Sequence, residues 1–269
     1  MIAMKITIFG TEREITAAST TGQRSENQDS VGWIAMTKNG TRGEIVDGKV
    51  IKNNTHSENE ILFCILCDGM GGLEDGKAMS EAVVTESLSW VQKRKFDEPK
   101  DVFMGYRNYL HDLEKELMGK YPNSGTTVAV LFAYQNEWFS MHLGDSRIYT
   151  IHRGNIERTR DHSPVEELFR SGVISEDEMN DHPMKNMISS YVGGGKVSNL
   201  TFSELGNFDK AVVCSDGAYG YMSIEAFERL ITSSDTADEI IAEAFSKGSK
   251  DNISAIVVNN TRRENRHRP

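Results

Sequence analysis

Ile61-Leu62-Phe63-Cys64-Ile65-Leu66-Cys67, followed at once by Asp68-Gly69-Met70-Gly71-Gly72, is the stretch on which the fold turns. Seven consecutive apolar residues fall far short of the roughly 20 that span a membrane. Bounded by polar residues, the run suits a central strand buried on both faces. An Asp-Gly pair ordinarily turns a chain back into a partner strand. Here the chain runs on into glycines instead, so Asp68 stands as a carboxylate at the end of a buried strand.

Upstream, the residues alternate. Ile6, Ile8, Ile15 and Ala17 interleave with polar neighbours, and Val31 to Met36 reads as a further strand. Ile45 to Ile51 carries Asp47-Gly48 in its middle, the signature of a hairpin with a type I′ turn. Downstream, 75–94 and 100–120 show apolar stripes at helical spacing, with Val102, Tyr106, Tyr109, Leu113 and Leu117 marking the second. Asp75-Gly76 falls where the first of these helices is expected to start and reads as a cap. Strands are expected over Thr126 to Tyr134, Glu137 to Leu143, Arg147 to His152 and Ile156 to Arg158. From Ser163 to Lys196 the pattern is irregular. Strands follow at Leu200 to Leu205 and Ala211 to Cys214, helices at Ser223 to Ile231 and Thr236 to Ser246, and a last strand at Ile253 to Val258. Ser175-x-x-Glu178 and Thr236-x-x-Glu239 have the form of capping boxes. This order is not an alternating β-α-β series, so it predicts antiparallel sheets covered by helices rather than a doubly wound parallel sheet.

Composition narrows the class of function. The chain has 269 residues, 38% of them apolar and 26% charged, with a net charge of −10. That balance suits a globular chain, and the acidic surplus disfavours nucleic-acid binding, which needs excess Lys and Arg. Five prolines and no Ser/Gly-rich linker predict a single domain over 1–260, followed by a basic, disordered tail at 261–269. Three cysteines argue against a disulfide framework and make a reducing cytoplasm the expected location, with no membrane attachment.

Asp68 has counterparts. Asp216-Gly217 follows the apolar run Ala211 to Cys214, Asp251-Asn252 precedes the last strand, and Asp145 sits between two strands. Carboxylates at strand ends are costly unless paired or bound to a metal, and converging ones raise one another's pKa values. An all-oxygen donor set favours a hard cation, Mg²⁺ or Mn²⁺. Arg24, in the polar stretch Arg24-Ser25-Glu26-Asn27-Gln28-Asp29, offers a guanidinium fork that suits a phosphate.

With these pieces in place the chain resembles the metal-dependent protein phosphatases, the type-2C serine/threonine family, in its bacterial branch. The resemblance rests on the Arg24 to Asp29 stretch, Cys67 to Gly72, Ser124-Gly125-Thr126-Thr127, Gly144-Asp145-Ser146-Arg147, Arg160-Asp161-His162-Ser163, Cys214-Ser215-Asp216-Gly217 and Lys250-Asp251-Asn252-Ile253, in that order. It implies an α+β fold: a four-layer αββα sandwich of two antiparallel sheets flanked by helices. It implies hydrolysis of phosphoserine and phosphothreonine in proteins by a hydroxide bridging two metal ions. Asp68 would bridge the ions, the Gly69 carbonyl would join the second, and Asp216 and Asp251 would complete the first site. Asp29 would hold waters from behind, Arg24 would bind the substrate phosphate, Asp145 would serve a third ion, and Gln28 and Asn252 would support. Partners implied are phosphorylated proteins, targets of a Ser/Thr kinase, and 163–196 is expected to be a flap over the site.

Three positions depart from the family pattern. Gln28 stands where many members carry Glu, Gly220 where many carry Asp, and Met70 where animal members carry a His that acts as acid. The first two motivate a rival reading, a catalytically weak regulatory or binding module on the same fold. A hydrolase of small phosphate esters is a third. His162 reads as a loop hydrogen-bonder rather than an acid. Cys64-x-x-Cys67 is set aside as a metal or redox motif, because side chains three apart in a strand face opposite ways. Gly193-Gly194-Gly195 reads as a hinge.

Overall fold

The computed structural model describes residues 4–45, 49–53, 57, 60–71, 73–179 and 181–260. The alternating first third forms β1 (Met4–Ile8), β2 (Thr11–Thr20), β3 (Asp29–Thr37), β4 (Gly40–Ile45) and β5 (Lys49–Asn53). The apolar run becomes β6 (Ile61–Met70), followed by α1 (Leu73–Gln92) and α2 (Pro99–Lys120). Then come β7 (Gly125–Thr126), β8 (Val128–Tyr134), β9 (Glu137–Leu143), β10 (Arg147–His152) and β11 (Asn155–Arg158). The irregular stretch holds only the short helices α3 (Pro164–Arg170) and α4 (Glu176–Met179). The chain continues through β12 (Thr201–Leu205), β13 (Lys210–Cys214), α5 (Asp216–Tyr219), α6 (Ile224–Ser233), α7 (Ala237–Ser246) and β14 (Ile253–Asn259). β4 and β5 pair antiparallel as the expected hairpin requires, but its turn at 46–48 lies outside the described residues, as does the tail at 261–269.

Every strand pairing is antiparallel. One sheet runs β1-β2-β14-β13-β10-β11; the other runs β12-β9-β8-β6-β3-β4-β5, with β7 also on β6. Three apolar clusters separate four layers. Leu62, Cys64, Leu66, Trp33, Val213 and Ile256 meet between the sheets. Phe63, Ile65 and Cys67 point the other way, onto Trp90 and Tyr106 of the helical layer formed by α1 and α2. On the far side Val212 and Val257 pack under Phe227 of α6 and Ile240 of α7. This is the expected αββα sandwich. Alternation along β6 sends Cys64 and Cys67 into different clusters, so the C-x-x-C spacing brings no two thiols together; all three cysteines are buried and free.

Two local expectations are corrected. Asp75-Gly76 does not cap α1; the helix begins earlier, at Leu73. Helix and strand touch there: a Cβ on Gly69 would lie 2.2 Å from the Gly76 carbonyl oxygen, and one on Gly76 would stand 3.1 Å from the Gln28 side chain. The Gly193-Gly195 stretch is no loose hinge either. The Gly193 and Gly195 N–H groups both donate to Oε1 of Glu114 on α2, at 2.8 and 3.0 Å, and Glu114 is only 2% exposed. Of the two capping boxes, that of α7 is complete, with Thr236 accepting from the Glu239 N–H and Glu239 reaching back. At Ser175 the backbone N–H and the hydroxyl both donate to Glu178, so only the carboxylate's half is present.

Candidate active site

The aspartates gather at one end of the sandwich because four strand ends meet there. Asp29 opens β3 and is the direct cross-strand partner of Asp68 near the end of β6. Asp216 follows β13 and Asp251 precedes β14, neighbouring strands of the opposite sheet. Asp145 lies in the turn between β9 and β10, where the chain passes from one sheet to the other. Asp68, Asp145, Asp216 and Asp251 line one open cleft of about 370 Å³ together with Arg24, Gln28, Gly69 and Asn252. Asp29 stands behind it, 4% exposed.

The backbone around Asp68 is held from several sides. Its N–H donates to Oγ1 of Thr127 at 2.9 Å, and its carbonyl accepts from the Thr127 N–H and the Thr126 hydroxyl, each at 2.9 Å. The Thr127 and Ser146 hydroxyls are 2.6 Å apart. Gly69 donates its N–H to the Gln28 carbonyl at 3.1 Å, an approach no side chain could allow: a Cβ on Gly69 would stand 2.7 Å from that oxygen. Asn252 fastens the Arg24 loop to the start of β14. Its Oδ1 accepts from the Gln28 N–H at 2.9 Å, and its Nδ2 donates to the Thr21 and Glu26 carbonyls at 2.9 and 2.8 Å. The Ser215 hydroxyl donates to Asp29 Oδ2 at 2.8 Å.

Electrostatics mark the cleft as short of positive charge. Burial pushes the Asp68 carboxyl well up, and Asp29, Asp216, Asp145 and Asp251 push it further. Burial raises Asp29 to about 7, against hydrogen bonds from Ser254 and Ser215. Burial and Asp251 raise Asp216 to about 6, while its Gly217 and Asp68 hydrogen bonds pull it down. Asp145 goes well up through burial and Asp216. Arg24 is the cation that faces them; its Nη2 donates to Asp251 Oδ2 at 2.8 Å. Asp29 Oδ1 and Asp145 Oδ1 are buried without a hydrogen-bond partner among the described residues. Among these residues no three His, Cys, Asp or Glu side chains are grouped so as to hold an ion as they stand. Asp251 is directed elsewhere, one oxygen on Arg24 and the other accepting from the Asn252 N–H at 2.9 Å. Crowded carboxylates, two orphaned oxygens and an all-oxygen donor set nonetheless suit a hard divalent cation.

Other singled-out residues lie elsewhere. Asp161 makes a buried bidentate pair with Arg147, at 2.9 and 2.7 Å, and Ser163 caps α3. His162 accepts the Gly144 N–H at Nδ1, 3.0 Å, and stacks on His142, so it is a hydrogen-bonder at the root of the flap segment. Sequence reading missed Asn186 and Ile188, which line the cleft from the irregular stretch; no periodicity or motif marks them. It also missed the grip of Asn252 on the Arg24 loop, a partnership across more than 200 residues.

No protein-family model matches the chain. It is 32% identical over 209 residues to a serine/threonine phosphatase, stp, of Listeria monocytogenes, covering 72% of this chain and 82% of that one. It is 30% identical over 223 residues to a putative protein phosphatase 2C-type of Streptococcus pyogenes, covering 77% and 89%. Among solved structures, the serine/threonine phosphatase Stp1 from Staphylococcus aureus superposes with a TM-score of 0.75 at 27% identity, over 92% of this chain and 95% of that one. At this identity, and over this share of both partners, the chain belongs to the bacterial type-2C serine/threonine protein phosphatases.

Proposed function

We propose that this chain hydrolyses phosphoserine and phosphothreonine in proteins, using divalent cations held by Asp68, Asp216, Asp251 and the Gly69 carbonyl. The family is metal-dependent; two Mg²⁺ or Mn²⁺ ions, with Asp145 available to a third, are the reading favoured here. The observation that carries it is the convergence of four aspartates, together with Glu26 and one guanidinium, on a single open cleft. Cations bound there would lower the pKa of water and neutralise charge on the phosphoryl group.

The chain's own residues supply orientation. Arg24 is exposed and reaches the cleft, so its fork can leave Asp251 and take phosphoryl oxygens. Asp29, fixed by Ser215, stands behind Asp68 to orient waters of the cleft. Ser25, the one hydroxyl lining the cleft, is exposed and has no base on it among the described residues. Burial pushes the nearby Cys67 thiol well up, away from the nucleophilic thiolate. Direct attack by water, with no phospho-enzyme, follows.

The segment 163–196 is proposed as the flap that sets substrate choice, with Asn186 and Ile188 as its contacts. The whole of 1–260 is proposed as one domain. A Ser/Thr kinase is the implied counterpart, and a cytoplasmic location goes with three unpaired, buried cysteines. Among the described residues no helix is long and apolar enough to cross a membrane.

The test is hydrolysis of a phosphothreonine peptide with Mn²⁺, repeated with chelator. Activity is expected only with metal. Asp68→Asn and Asp216→Asn are expected to cost more than the roughly 10–100-fold typical of residues one step behind a metal ligand, with folding intact by circular dichroism. Turnover that survives chelation would falsify the assignment.

A further inference from the structure

A second cleft, of about 400 Å³, shares no lining residue with the aspartate cleft and is somewhat larger. It opens between the body and the flap segment. β10 and β11 contribute Tyr149 and Ile156, α3 contributes Phe169, α4 Glu176, and α6 Phe227 and Glu228. Its volume is in the range that takes a small organic ligand, and four aromatic rings share its walls with charged side chains.

The charges lining it are unequal once internal pairs are subtracted. Four arginines reach the cleft, but three are engaged. Arg147 is held by Asp161 in two bonds and lies 3.8 Å over the Tyr219 ring. Arg158 donates to Glu166 and Glu176 at 2.9 and 3.2 Å, and Arg170 to Glu166 at 2.8 Å. Arg160 alone is exposed and unpaired among the described residues. Against it stand two carboxylates without such a partner, Glu157 at the rim and Glu228 half-buried in the wall. Burial raises the Glu228 carboxyl, and Glu176 and Glu225 raise it further, with Arg158 opposing. Two carboxylates thus stand against one unpaired guanidinium in this cleft.

We propose that this cleft binds an organic cation, a guanidinium or ammonium group on an apolar stem, with the charge on Glu228 and the stem between Tyr149, Phe169 and Phe227. Aromatic faces attract such a cation beyond simple burial. The occupant touches both the flap and the body. Tyr219, in the same wall, donates its hydroxyl to the Asp145 carbonyl at 2.9 Å, so the site abuts a turn of the aspartate cleft. The chemistry fits either a free small amine or an arginine or lysine side chain on a protein.

The test is calorimetric titration of the intact protein with phenylguanidine, with benzoate as an anion of similar size and an N-acetylated, C-amidated Gly-Arg-Gly tripeptide as the protein-borne cation. At least one cation is expected to bind saturably, about tenfold more weakly to Glu228→Gln, and to slow hydrogen exchange in 164–170. The Glu228 side chain makes no hydrogen bond or ion pair among the described residues, so this variant should melt like the parent; Phe169→Ala provides a second weakening. Tighter tripeptide than phenylguanidine identifies a protein side chain as the occupant, and the reverse a free cation. Equal or tighter binding of benzoate, unchanged affinity in Glu228→Gln, or no saturable binding by either cation would each overturn the proposal.

Discussion

Asp29 and Asp68 face each other across two hydrogen-bonded strands, and both would rather be neutral than share that position as anions. A carboxyl whose pKa is higher folded than unfolded holds its proton more tightly in the native state. For Asp29 the stabilisation is complete below its ordinary value of 3.8 and is lost as pH rises through about 7. Asp216 follows, through about 6. With chelator present, the melting temperature is thus expected to fall between about pH 4 and about pH 7. Asp29→Asn, which cannot titrate, should show a smaller fall; an equal fall would place the effect elsewhere. These aspartates were legible because each sits in a short local motif at a strand end. Asn252 was legible as a neighbour of Asp251, but its grip on Thr21, Glu26 and Gln28 was not, since nothing in a linear pattern says which distant backbone groups need partners.

Among elements, β6 and the two long helices were readable because burial imposes a period on their side chains. The flap segment has none, since a stretch wrapped over a rim by backbone contacts needs no apolar stripe. Its far end is fixed by two devices. Val192 and Thr126 exchange both backbone hydrogen bonds at 2.9 Å, and Glu114 binds the N–H groups of Gly193 and Gly195. Gly193 has φ +101°, and a Cβ there would meet the Ser124 carbonyl oxygen at 2.4 Å, so this anchoring needs glycine. Glu114→Ala strands two amides at about 1–3 kcal/mol each. It is expected to lower the melting temperature and to raise KM for a phosphopeptide several-fold, with kcat/KM for a small aryl phosphate little changed. Equal loss on both substrates would remove Glu114 from any part in substrate choice. A simpler check concerns α7: Thr236→Ala should cost about 1 kcal/mol in urea unfolding through loss of the cap.

Across the whole molecule, the cleft draws its carboxylates from both sheets, Asp29 and Asp68 from one, Asp216 and Asp251 from the other. A cation shared between them would join the two halves of the sandwich. Mn²⁺ at a hundred times its dissociation constant is expected to stabilise the fold by about 2.7 kcal/mol, read as a concentration-dependent melting temperature. Asp251→Asn should lose most of that gain. The layered architecture was legible from the order of strands and helices, while the strand order within each sheet was not, because period alone does not identify neighbours. That order places β14, the C-terminal strand of the described residues, between β2 and β13 in the middle of its sheet. A nascent chain still lacking residues 251–259 therefore has both an open gap in that sheet and no Asp251 at the rim. A product terminated before these residues would lack both strand and carboxylate, and with Asp251 as a cation holder it would have no route to unregulated turnover.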